Sequence, residues 1–181
     1  IRQQETQETR IIFAVTPGPR AKYTRPVIEG SPVLPEKKLI LLTNWQKWRG
    51  LRGWKDVTAA NTQRALDRLR GAYLKNDFLM AGIRIASLEY DKQAGTAVPR
   101  LVIESGPKVV VETVGAKVGK GALRQLIPIY QERTVDRELL LEGQNRLKTY
   151  FENKGFFDAA VSYTQDNAAP NGGQRIRYNI Q

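Results

Sequence analysis

The chain repeats itself, and this repetition restricts the fold more than any single motif does. A gapless shift of 78 positions sets Leu69 on Leu147, Tyr73 on Phe151 and Phe78 on Phe156. The same shift sets Ala81 on Ala159 and Ile83 on Val161. In both places a helical pattern ends and an alternating one begins, with an aromatic at the corner. A second landmark also recurs, as VTPGP at residues 15–19 and IESGP at residues 103–107, 88 positions apart. Each time a short apolar run stops at Gly-Pro and an extended run follows. Glycine breaks regular structure and proline fixes the chain's direction, so hinges are expected at Gly18-Pro19 and Gly106-Pro107. The two offsets differ by ten residues, which places an insertion in the first copy ahead of its second helix. Units this small bury only a modest core, so each is expected to lean on the next.

Periodicity gives the order of elements. In the second copy, residues 109–114 are β-branched and extended, 115–121 bend, and 122–129 form a short helix. Thr134 is expected to cap a longer helix, with Asp136 and Glu138 in its first turn. Leu140, Gly143, Leu147, Tyr150 and Phe151 recur at helical spacing up to Gly155. Ala159, Val161 and Tyr163 then share one face of a strand. Asn171, Gly172 and Gly173 turn the chain into a last strand carrying Ile176, Tyr178 and Ile180 on one face. The first copy follows suit: residues 21–29 are extended, 35–48 helical, and Thr58 caps a helix presenting Thr62, Leu66, Leu69 and Tyr73. Residues 83–90 and 97–104 form a hairpin turning at 91–95, with Pro99 near a strand end or a bulge. Phe156 and Phe157 are expected to fold back and plug the corner as core residues. The fold class is α+β: tandem βααββ units, each a three-stranded sheet backed by two helices.

Composition removes several chemistries. With no Cys and no His, the chain lacks thiol and imidazole nucleophiles and most zinc, copper and iron sites. No cofactor is expected. Carboxylate pairs such as Asp136/Glu138 and Glu89/Asp91 fall at a helix start and a turn, where capping and solvation explain them, so the chain reads as a non-enzyme. Net charge is +11, with 18 basic and 10 acidic residues over 1–106 and 11 basic and 8 acidic over 107–181. This excess favours anionic partners: nucleic acid, lipid headgroups or acidic protein. The longest apolar run, residues 39–42, is too short to span a bilayer. Starting at Ile1, the sequence reads as a piece of a longer protein.

The βααββ order, the G-[FY]-x-x-A-x-[VI] corner (Gly155, Phe156, Ala159, Val161) and the Gly-Pro joints resemble POTRA (polypeptide-transport-associated) domains. These belong to outer-membrane β-barrel assembly factors of the surface-antigen superfamily. The resemblance assigns residues 1–18 to the last strand of a preceding repeat, 19–106 to one copy and 107–181 to another. The first copy departs from the pattern at Asp77, which replaces the corner glycine, and in its insertion, which holds all three Trp. The resemblance implies a periplasmic, non-catalytic scaffold, followed by a C-terminal membrane β-barrel and docking accessory assembly proteins. It also implies that unfolded barrel precursors add by backbone hydrogen bonds to a free strand edge. That edge is Ile83, Arg84, Ile85, Ala86, Ser87 and Leu88 in the first copy. In the second it is Ala159, Ala160, Val161, Ser162, Tyr163 and Thr164.

The insertion supports rival readings. Residues 37–55 hold six basic residues, no acidic one, and Trp45, Trp48 and Trp54. Lys47, Arg49, Arg52, Trp54 and Lys55 together suit contact with anionic lipid headgroups. Gly50 and Gly53 form a GxxG between two helices, as in KH-like nucleic-acid-binding domains. The second copy has no GxxG at that place. The plain alternative is that Trp45 and Trp48, three apart on a helix face, close the first core.

Overall fold

The computed structural model describes residues 12–14, 18, 20–48, 53–169 and 172–181. Its first copy runs β1 (Lys22–Tyr23), β2 (Val27–Ser31), α1 (Glu36–Thr43), α2 (Ala59–Lys75), β3 (Gly82–Asp91) and β4 (Thr96–Glu104). β4 is the middle strand, with β3 antiparallel on one side and β1 and β2 parallel on the other. The break between β1 and β2 falls opposite Pro99. That proline sits inside the middle strand, paired with Leu88, and has no N–H to offer the other side. The facing chain leaves the ladder at residues 24–26, and Thr24 bonds back to the Ala97 carbonyl (3.0 Å).

The second copy runs β5 (Val109–Val114), α3 (Lys120–Leu126), α4 (Ile129–Glu132), α5 (Arg137–Glu152), β6 (Val161–Ala169) and β7 (Gly173–Ile180). Its sheet order is β5-β7-β6, with β5 parallel and β6 antiparallel to β7. The short helix expected over 122–129 is in two pieces. Ile127 is extended (φ −93°, ψ 115°) because the following Pro128 disfavours helical backbone there. Pro128 then opens a further single turn. The cap of α5 is Asp136, not Thr134; the Thr134 hydroxyl donates to the Asp136 carboxylate (3.1 Å). Thr58 does cap α2, its side chain accepting the Asn61 N–H (3.1 Å).

The helices cover one face of each sheet. Tyr23, Leu39, Trp45, Leu69, Tyr73 and Leu101 anchor the first core, while Leu140, Leu147, Ile127, Ile176 and Tyr178 anchor the second. One further piece of the repetition emerges in three dimensions. Gly30, near the end of β2, and Gly115, just after β5, both have left-handed backbone (φ +93° and +90°). A Cβ on either would collide with a carbonyl oxygen, Ile103 in one sheet and Ile180 in the other. The two contacts are equivalent.

Candidate binding edges and the joint between the copies

β6 is a lateral strand. Ala160 and Gln181 exchange both backbone hydrogen bonds (2.9 Å each) just before it begins. Antiparallel pairs alternate between bonded and non-bonded positions, so Val161 and Tyr163 turn their N–H and C=O away from β7. Val161 buries its side chain, Tyr163 packs toward Tyr178 (6.1 Å between rings), and Ser162 and Thr164 are exposed. Ala159 and Ala160 precede the strand proper.

β3 is lateral too, but obstructed. Ala86 is a bulge, left out of register between Ile85 and Ser87. Bulges twist an edge away from regular pairing. Ile83, the counterpart of Val161, has its carbonyl already engaged by the Arg70 guanidinium (3.0 Å). Arg84 and Leu88 face solvent. In the second copy the residue matching Arg70 is Lys148, which turns to Glu152 (3.7 Å).

Gly106 is left-handed (φ +65°) beside the Met80 backbone. Pro107 is half-buried and Gly18 exposed, while Pro19 lies outside the described residues. The joint itself is built from residues no motif marked. Asp77 stands at the corner-glycine position in left-handed conformation (φ +68°), which Asp tolerates better than most residues. Its carbonyl accepts the Val109 N–H (2.8 Å), and its carboxylate accepts from Arg124 (3.1 Å), which also donates to the Lys75 carbonyl (3.0 Å). Leu79 is 3% exposed and sits in the second copy's core, with Met80 and Leu74 packed beside it. The sequence signal was the departure at Asp77.

The insertion divides its three Trp. α1 ends at Thr43 because Asn44 turns left-handed (φ 52°), so Trp45 and Trp48 share no helix face. Trp45 is buried, stacked on Tyr23 (4.4 Å, 12°), with its indole N–H on the Asn61 carbonyl (3.3 Å). Trp48 is 71% exposed, contrary to the expectation that both close the core. Lys47 is exposed, and Trp54 and Lys55 are half-buried. The returning leg pairs with β1: the Tyr23 N–H donates to the Lys55 carbonyl (3.0 Å) and Asp56 bridges Lys22. Residues 49–52, including Arg49, Gly50 and Arg52, lie outside the described residues. A second bridge joins Gln46 to Trp54, so the described ends of the connection between α1 and α2 are tied together.

Phe156 and Phe157 do not plug the core; they are 60% and 79% exposed. In the pair Glu89/Asp91, Glu89 bonds Arg100, and Asp91 accepts the Gln93 and Ala94 N–H groups (2.8 and 3.0 Å). Among the described residues no three His, Cys, Asp or Glu gather as a metal site, and no helix is long and apolar enough to cross a membrane.

The geometry defines a class: serial βααββ modules whose lateral strands β3 and β6 each pair on one side among the described residues. The family model described as "POTRA: Surface antigen variable number repeat" matches residues 109–181, the second copy. No curated protein matches in sequence. Three of the similar solved structures illustrate the likeness. POTRA domains 3–5 of BamA from Haemophilus influenzae are 16% identical with a TM-score of 0.42, covering 90% of this chain and 61% of that one. POTRA domains 1–2 of the periplasmic domain of Omp85 from Anabaena are 13% identical with a TM-score of 0.38, covering 89% and 96%. CdiB from Escherichia coli is 14% identical with a TM-score of 0.39, covering 96% and 29%. The chain thus spans about three fifths of the BamA structure and under a third of CdiB.

Proposed function

We propose that this chain is the periplasmic arm of an outer-membrane protein assembly or translocation factor, a non-catalytic scaffold that precedes a membrane β-barrel. Residues 19–106 and 107–181 are its modules, and 1–18 end a preceding one. Its work is to hold unfolded barrel-precursor strands by β-augmentation and to dock accessory assembly proteins. The observation that carries this reading is β6, whose outward N–H and C=O groups at Val161 and Tyr163 lack a partner strand among the described residues. Main-chain pairing reads little of the side chains, which suits many different substrates. β6 is the principal edge, because β3 is bulged and its Ile83 carbonyl is taken.

An extended peptide from a barrel strand, titrated onto the protein, should bind weakly and perturb the amides of β6 more than those of β3. Val161→Pro removes one outward donor and should weaken binding by about 2–12-fold, the equivalent of one net hydrogen bond. Failure of every such peptide to bind would leave only a spacer or docking role. A second reading rests on Trp48, whose exposure beside Lys47 suits an anionic lipid surface. Cosedimentation with anionic vesicles, lost on replacing Lys47 and Trp48, would support it.

A further inference from the structure

The corner that joins the two copies occurs twice, and the second occurrence is bare. Under the 78-position shift Asp77 becomes Gly155, Phe78 becomes Phe156 and Leu79 becomes Phe157. The backbones agree: Asp77 and Gly155 are both left-handed (φ +68° and +93°). Phe78 bonds its N–H to the Tyr73 carbonyl (3.0 Å), as Phe156 does to Phe151 (3.1 Å). The ring pairs match as well, at 6.0 Å and 67° against 6.1 Å and 72°. Only the surroundings differ. Leu79 is 3% exposed inside the neighbouring core, whereas Phe157 is 79% exposed. Beside it lies an open groove of about 490 Å³ lined by Gly115, Ala116, Phe151, Phe156 and Ile180.

We infer that Phe157 is the plug of a second joint, seated by a strand-led module that follows residue 181 in the same polypeptide. This rests on the reading of the chain as an arm of serial modules. The established joint between the copies supplies the template: an apolar side chain enters the next core, and the corner carbonyl takes the first N–H of the next strand. Gly155 offers that carbonyl in the place of Asp77. With no carboxylate at this position, the second joint has no counterpart of the Asp77–Arg124 pair and depends on apolar burial. Two adjacent, largely exposed phenylalanines are otherwise unfavourable on a soluble surface.

The test is thiol labelling of Phe157→Cys, read by peptide mass spectrometry, in the 181-residue chain and in the natural chain continuing past Gln181. Leu141→Cys on exposed helix surface is the reference. In the 181-residue chain both thiols should react at similar rates. In the longer chain Phe157→Cys should slow by about tenfold or more while Leu141→Cys does not, as for a site closed behind a docked module. Equal rates in both chains would overturn the inference. So would protection that grows with protein concentration, which marks self-association. The peptide titration at β6 reads strand capture independently, so either idea can fail alone.

Discussion

A residue that breaks a pattern can be the one doing the joining. Asp77 occupies the position where the second copy has Gly155, and its three attachments, to Val109, Arg124 and the corner backbone, tie one unit to the next. The sequence marks Asp77 as a departure from the pattern but not what it binds, since Arg124 lies 47 positions further on. Tyr130, beneath Arg124, is the residue whose titration reports on this neighbourhood. Burial, reinforced by the Asp77 charge, pushes its phenol up to about 12 from the ordinary 10. Burial pushes Tyr178 up as well. An unfolded tyrosine ionises near pH 10 while the folded one stays neutral, so the folded state binds more protons between those values. Stability is therefore fully present below pH 10 and falls as pH rises toward 12. Urea midpoints measured across that window should fall less steeply for Tyr130→Phe than for the parent chain.

Elements were legible where one unit settles them by itself. The strands follow from alternation, and α2 and α5 from apolar residues at helical spacing. Three readings differ from the structure. Carrying helical phase past Thr43 put Trp48 inward, but the left-handed Asn44 redirects the chain. Thr134 looked like a cap, but the chain enters α5 two residues later. Phe156 and Phe157 looked like core because an isolated unit would fold such aromatics back, whereas both rings lie largely exposed at the corner. Where α5 lies on its sheet, packing leaves no slack. A Cβ at Gly143 would sit 2.7 Å from the Tyr178 hydroxyl and 3.1 Å from Ile127, and that hydroxyl donates to the Leu140 carbonyl (3.1 Å). Gly143→Ala should therefore destabilise by about 1–3 kcal/mol despite its better helix propensity. Chemical denaturation checks it, and Tyr178→Phe in the same background should recover part of the loss.

At the scale of the whole molecule, the two copies are not beads on a thread. Leu79 belongs to the first by sequence and to the second by packing. Leu79→Ala should cost about 2–5 kcal/mol, the range for a buried leucine. The loss should appear in the second copy: hydrogen exchange at Ile176 and Tyr178 in β7 should accelerate. Unchanged exchange there would mean that the second core closes without its neighbour. The paired glycines carry a different consequence. Gly30 and Gly115 are required by a backbone oxygen, not by any apolar contact, so the constraint holds however far the core side chains drift. Aligning other chains on a glycine that meets the closing strand's carbonyl would find kin that comparison of their hydrophobic residues passes over.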